Sequence, residues 1–371
     1  MWLYLCIMLL FALLSAKNGK SKYKLFFGAF ILILLMGFKS TYVGNDTPSY
    51  IEFFNRLSRM TSLIDSNSRF EVGYQFYNKI ISLFFDNYQA MFLITAIICI
   101  TCICYGIVNL SRNWQYSLFL FVGLRFYYFF LSGLRQSLAV SIIVVSYVCL
   151  RKKHIIPFIL LVILATTFHF SAFIFILAWP LSQMKISKGA ILKVTIGIVA
   201  VYAFFGPILN ISLNHLPIYY SHYLTTEAVS VNNLSDFINA IIPGLFVVFS
   251  YFSGYYQAIK DKQFQKSIEN DDEKTYITSL YSDGEVQLLF FFVAAGLSLV
   301  ATRASILDRM AQYYWIFSIM TVPNILFFIR DKQKRTSWYF VITTCVIIYN
   351  ISLLILRPEW NAIVPYTFFW N

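Results

Sequence analysis

His169 is one of four histidines in the chain and the only one inside an apolar run, Ala165-Thr166-Thr167-Phe168-His169-Phe170-Ser171-Ala172. A neutral imidazole there could take the proton of an attacking hydroxyl, since histidine titrates near neutral pH. A hydrogen-bonded core histidine is an equal reading of the same residue. A second segment, Gly133-Leu134-Arg135-Gln136-Ser137-Leu138-Ala139, opens a helix with Arg135 and Gln136 in its first turn, where backbone N–H groups lie ready for an anion. Two carboxylates stand at the ends of one hydrophilic loop: Asp46 in Gly44-Asn45-Asp46-Thr47-Pro48-Ser49-Tyr50, and Glu71 in Phe70-Glu71-Val72-Gly73-Tyr74. They could bind hydroxyls, act as bases or balance nearby arginines. Asp46 could also cap the following turn through Thr47 and Ser49.

The elements that must position these residues are dictated by composition. Of 371 residues, 59% are hydrophobic and 12% charged, about half the charged fraction of a soluble domain, and the apolar residues recur along the whole chain. Water-soluble folds are excluded. Apolar runs at 2–16, 24–38, 89–110, 116–132, 136–150, 155–184, 189–210, 237–259, 286–302, 310–329 and 338–356 predict an all-α, polytopic integral membrane protein of about twelve transmembrane helices, some short or re-entrant. A single integral membrane domain is expected over 1–371, with extracytoplasmic loops carrying the site. The first run, Met1 to Ala16, lacks a basic segment before it and a cleavage motif after it, so it is expected to be a transmembrane helix and not a removable signal. All six cysteines lie in apolar runs without a metal-ligand pattern and are read as small core residues.

Lysine clusters at 17–24, 152–153, 185–193, 260–274 and 332–334 should face the cytoplasm, which places both termini outside. Lysines flank the run 155–184 on both sides, so it is expected to cross twice as two short helices with an apex at Thr166 to Phe170, one long tilted helix being the alternative. The loop 40–88 is then extracytoplasmic. Within it, Phe76, Tyr77, Ile80, Ile81 and Phe84 form a helical stripe, which predicts a helix lying flat on the bilayer. A second extracytoplasmic loop is expected at 211–236, and a solvated cytoplasmic connector at 260–285.

In this topology fifteen of seventeen lysines lie inside, while eight of twelve arginines lie outside or within the membrane. Orientation alone would treat the two cations alike. The net charge of +12 is therefore no sign of nucleic acid. Arginine differs in its planar fork, which binds phosphate or carboxylate bidentately and stays charged when desolvated. Arg56, Arg59 and Arg69 are read as snorkelling or paired with neighbouring carboxylates. Arg125, Arg135, Arg303 and Arg309 are read as contacts to an anionic ligand, because charges within or at the rim of a membrane are costly unless used.

Val43-Gly44-Asn45-Asp46-Thr47 with Tyr50, then Phe70 to Tyr74, Gly133 to Ala139, and Ala165 with Phe168 to Ala172, followed by Arg309 ahead of Tyr313-Tyr314 and by Arg357-Pro358-Glu359-Trp360 with Pro365-Tyr366, resemble the EpsG branch of the Wzy-type polysaccharide polymerases. The resemblance spans most of the chain. It implies a glycosyltransferase that joins polyprenyl (undecaprenyl) diphosphate-linked oligosaccharide repeat units at the outer face of the bacterial inner membrane, as in O-antigen, lipopolysaccharide or capsule biosynthesis. Its implied partners are those lipid-linked sugars, membrane lipid and a chain-length regulator protein.

The family carries no universal catalytic signature, so roles follow from chemistry. His169, Arg135, Arg309 and Asp46 are expected to be catalytic, and Arg125, Gln136, Arg303, Glu71, Arg357 and Tyr50 to bind substrate. Neither metal nor cofactor is expected, because arginines could stabilise a diphosphate leaving group. Tyr42, Tyr50, Tyr219, Tyr220, Tyr223 and Trp360 could stack on sugars or anchor the interface. A flippase for lipid-linked sugars, an O-antigen ligase and a membrane O-acyltransferase are the rival readings.

Overall fold

The computed structural model describes residues 2–15, 20–185, 187–205, 233–255, 274–303, 308–329 and 331–370. The described residues are helical apart from turns and one isolated β-bridge between Lys39 and Phe368. They divide into two compact units, residues 1–173 with 319–371 and residues 174–318. Four helices, Tyr88–Leu110, Leu134–Arg151, Gly284–Ala301 and Lys332–Leu356, are long and apolar enough to cross a membrane, and several shorter apolar helices accompany them. The chain is a polytopic, all-helical membrane protein.

In unit 1 the helices are α1 (Trp2–Ser15), α2 (Lys22–Gly37), α3 (Thr47–Arg59), α4 (Val72–Phe84), α5 (Tyr88–Leu110), α6 (Trp114–Gly123), α7 (Phe126–Ser132), α8 (Leu134–Arg151) and α9 (Ile155–Phe168). Their starts follow local chemistry. The side chains of Ser21, Asn87 and Asn113 accept the first free N–H groups of α2, α5 and α6, as N-caps do. Polar contacts then show which ends meet. Asn113 donates to the Ser15 carbonyl, Gln115 to that of Ser21, Arg151 to that of Asn109, and Asn324 to that of Leu110. These residues adjoin Lys20, Lys22, Lys24, Lys152 and Lys153, so the lysines share one end of the unit. The ends of α2, α7 and α9 and the starts of α5 and α8 lie at the other.

One expected span is interrupted, and the run expected to form two short helices breaks within its expected apex. The run 116–132 is not one helix: it breaks between α6 and α7 at Arg125, which has φ of 69°. Nδ2 of Asn350 donates 3.2 Å bonds to the carbonyls of Val122, which also accepts from the N–H of Arg125, and of Gly123 at the break. The run 155–184 is interrupted at His169, where the backbone is extended (φ −153°, ψ 115°). A 3₁₀ turn, Phe170–Leu177, and a short α10 (Ala178–Ser182) follow.

Unit 2 contains α10, α11 (Lys188–Ala203), α12 (Asn233–Phe252), α13 (Lys274–Ala301) and α14 (Asp308–Trp315). Phe175, Phe290, Tyr314 and Phe317 form an aromatic core, and Asp308 ties three helices by accepting bonds from Ser298 (2.8 Å) and Asn239 (3.0 Å). Residues 233–236 and 274–285, expected in loops, belong to α12 and α13. The rest of the expected loops 211–236 and 260–285, with Tyr219, Tyr220 and Tyr223, lies outside the described residues. The remaining helices, α15 (Ser318–Phe328) and α16 (Lys332–Leu356), return the chain to unit 1.

The 357–370 segment folds back over unit 1. Gly44 donates to the Ala362 carbonyl and Asn45 to those of Glu359 and Trp360, while Tyr4 donates to Ile363. The turn that precedes α3 is held in this way from two sides, because Asn45 N–H also donates to Ser132 Oγ at 3.0 Å.

Candidate functional site

The loop 40–88 is a helical hairpin whose shape depends on two glycines. Gly44 takes φ of 100° in the turn before α3, and a Cβ there would lie 2.6 Å from the Leu131 carbonyl oxygen. Gly73, in the first turn of α4, faces the end of α9, where a Cβ would lie 2.8 Å from the carbonyl oxygen of Thr167 and would collide with its side chain. Only a residue without a side chain allows this approach. Between α3 and α4, the Phe70 ring packs on Tyr50, Phe53 and Tyr74.

That approach delivers Glu71 to its partners. Glu71 precedes α4 in extended conformation and makes no cap bond. Its Oε2 lies 2.5 Å from Nη1 of Arg135, and its Oε1 lies 3.2 Å from Nδ1 of His169 and accepts a 3.3 Å bond from the N–H of Phe170. Arg135 also hydrogen-bonds Tyr50 and lies over the Phe70 ring at 4.7 Å. The three side chains come from the start of α4, the start of α8 and the residue that ends α9. Burial would raise the Glu71 carboxyl, but the His169 hydrogen bond and the positive charge of Arg135 outweigh it and hold the group down at about 2. Glu71 is therefore a carboxylate at any working pH.

This arrangement has definite chemistry. When Nδ1–H of His169 donates to the carboxylate, the lone pair is on Nε2, the tautomer a general base needs. The carboxylate orients the ring and would stabilise the imidazolium formed by proton uptake. Arg135 and Glu71 together carry no net charge.

The other expected residues are placed as follows. Tyr50 is buried beside Arg135, and Gln136 is buried in the same turn of α8. Asp46 starts α3, is exposed and makes no cap bond through its side chain, so the capping role foreseen for it is not realised. Arg125 stands apart from Glu71 at the α6–α7 break, bonded to Asn361. Arg357 makes an exposed ion pair with Glu359 at 3.7 Å. Arg303 and Arg309 belong to unit 2, where both are exposed and Arg303 lies over the Tyr202 ring at 4.5 Å.

Of the arginines read as structural, Arg56 pairs with Asp65 at 3.2 Å and Arg69 bonds Ser49. Two lysines that adjoin the hairpin's arginines in the sequence are buried. Nζ of Lys39 donates to Val43 O (2.9 Å), Thr47 Oγ1 (2.6 Å) and Leu131 O, and Lys79 donates to the carbonyls of Leu57 and Met60 that end α3. Burial draws the Lys39 amine down to about 7, against the opposing charge of Asp46. Its sequence signal is position: it lies just past a lysine-flanked span, where no orienting lysine is needed.

The model of the EpsG family matches residues 22–368. No curated protein and no solved structure matches the chain.

Proposed function

The chain belongs to the EpsG family, whose proteins are Wzy-type polymerases, and from that premise we propose that it is a glycosyltransferase joining polyprenyl diphosphate-linked oligosaccharide units, with Glu71, His169 and Arg135 at its chemical centre. The observation that carries this reading is the single carboxylate shared between a guanidinium and an imidazole. The lysine-rich end of unit 1 faces the cytoplasm, so the centre opens on the outer side of the bacterial inner membrane, in a chain of about twelve crossings.

In this mechanism the growing chain is the donor and a hydroxyl of a fresh repeat unit is the acceptor. The acceptor oxygen forms a bond to the anomeric carbon as the bond from that carbon to the diphosphate breaks. The electron pair leaves with the diphosphate, and the hydroxyl proton passes to Nε2 of His169. Outer-face arginines supply the positive charge that the leaving group requires. Asp46 is the competing base. Two lipid-anchored substrates on one surface meet in a nearly intramolecular encounter.

The test is polymerisation by purified protein on defined lipid-linked units. His169→Ala and Glu71→Gln should each lower the rate by about 10²-fold or more, as expected for loss of general-base catalysis. Near wild-type rates in both variants would remove the centre. Arg135→Lys keeps the charge but loses the fork, and should lower the rate. Glu71 titrates near 2, so an acid limb of the rate profile above pH 4 must belong to another group. Stability carries the same sign. The folded-state pKa of Glu71 is depressed from its ordinary 4.5, so its contribution is complete above pH 4.5 and disappears as pH falls through 2. A deletion strain separates the rivals: single repeat units indicate a polymerase, accumulated lipid-linked polymer a ligase, and absence of outer-face units a flippase.

A further inference from the structure

Besides Arg112, which is buried at the lysine-rich end over the Phe327 ring at 4.5 Å, two arginines of unit 1 are buried or nearly so, and their charges are met differently. Arg135 is paired with Glu71. Arg125 is 8% exposed and has no carboxylate partner among the described residues. Its Nη2 donates to Oδ1 of Asn361 at 3.2 Å, the guanidinium lies over the Tyr128 ring at 5.3 Å, and its buried Nη1 meets no acceptor. A desolvated cation with an open donor is strongly unfavourable unless a counter-charge completes it.

The surroundings hold Arg125 in place. Its left-handed backbone marks the break between α6 and α7, and Asn350, which bonds the carbonyls of Val122 and Gly123, also accepts from Tyr128 at 3.1 Å. A snorkelling arginine would carry its head into water; this one is covered. Asn361 reaches it from the segment that folds back over the unit. With Oδ1 engaged by the guanidinium, Nδ2 of Asn361 is a second donor at the same place. The seven residues of α7 rise about 10 Å between Arg125 and the turn that begins α8, so the two arginines are neighbours along one chain path but separate sites.

We infer that Arg125, completed by Asn361, is a diphosphate-binding subsite that anchors the head group of a lipid-linked substrate. The identity of the anion rests on the polymerase reading, because the Glu71–Arg135 pair carries no net charge to offer a diphosphate. Nη1 of Arg125, covered in this structure, and the Asn361 amide are a pair of donors suited to adjacent phosphate oxygens once an anion uncovers them.

The experiment uses the full chain in nanodiscs of phosphatidylcholine and follows the thermal midpoint with inorganic diphosphate at constant ionic strength. Ligand bound to the folded state raises the midpoint with concentration. The rise is expected in wild type and in Arg135→Gln, to be lost in Arg125→Gln and to be reduced in Asn361→Ala, which keeps the cation and serves if Arg125→Gln does not fold. An equal rise in Arg125→Gln, an unreduced rise in Asn361→Ala, a rise lost in Arg135→Gln, or none in wild type would overturn the subsite.

Competition by a short-chain polyprenyl diphosphate assigns the site to the lipid-linked substrate. Competition by phosphatidylglycerol discs alone overturns that assignment in favour of a membrane head group. No polymerisation is read, so failure of the polymerase reading leaves this measurement intact. Where polymerisation is observed, Arg125→Gln should raise KM for the lipid-linked unit about tenfold, the equivalent of one charge-assisted contact, with a smaller change in kcat.

Discussion

Helices α3 and α4 are consecutive, equal in length at 13 residues and both amphipathic, yet they are built with opposite polarity. Helix α3 buries Tyr50, Phe53, Phe54 and Leu57 and exposes Glu52, Arg56 and Arg59. Helix α4 buries Gln75, Asn78 and Lys79 along with Tyr74 and Ile81, and exposes Val72, Phe76, Ile80, Leu83 and Phe84. The first is the pattern of a helix facing water, the second that of a helix facing hydrocarbon. We read the hairpin as joining two solvents. Helix α4 brings Glu71 to Arg135 and His169, while α3 contributes Tyr50 beside Arg135. Under the proposed function, such a centre receives a lipid-anchored head group from one side and sugars from the other.

The largest expected effect tests that contrast with one residue type. Phe53→Ala, on the buried face of α3, should destabilise the folded protein by about 3–5 kcal/mol. Phe76→Ala, on the exposed face of α4, should leave the thermal midpoint in detergent almost unchanged. Equal losses would mean that α4 buries its apolar face, and the two-solvent reading would fail. Next in size is Gly73→Ala, which places a methyl group against the Thr167 carbonyl. Overpacking of this kind costs about 1–3 kcal/mol, and here it also pushes Glu71 away from His169. Polymerisation should fall further than stability. Gly197→Ala in unit 2, where a Cβ meets nothing within 4 Å, is the control that should change neither.

Much of this could be read from residue order, and the reason is that it is local. The stripe at Phe76, Tyr77, Ile80, Ile81 and Phe84 announces α4, although Tyr77 and Ile81 face inward to a greater degree than the rest. The interruption at His169 falls inside the window Thr166 to Phe170, set by the lysines on both sides of that run. Gly44 and Gly73 were visible as motif residues, while their purpose, close approach to α7 and α9, requires the fold. What local pattern does not carry is pairing at a distance. Glu71 meets residues 64 and 98 positions away, and nothing beside it in the chain specifies either one. The break at Arg125 has only Gly123 as a local cue, since the left-handed residue is neither glycine nor asparagine. It is held instead by Asn350 and Asn361, more than 200 residues further on.

The smallest effects compare two cations of the hairpin. Lys79 projects from the buried face of α4 and donates to Leu57 O at 3.2 Å and Met60 O at 2.6 Å, closing the end of α3. Replacing it by Met keeps the apolar stem but leaves two carbonyls without their donor, which should cost about 1–3 kcal/mol. Arg56, on the exposed face of α3, pairs with Asp65 at 3.2 Å but is half exposed. An exposed pair contributes about 0–1 kcal/mol and is screened by salt, so Arg56→Met should move the thermal midpoint little, and less still at high ionic strength. The difference between the two substitutions measures what burial adds to a charge in the same hairpin. If Arg56→Met proved the more harmful, the water-facing assignment of α3 would have to be withdrawn, and Arg56 would join the arginines that meet substrate.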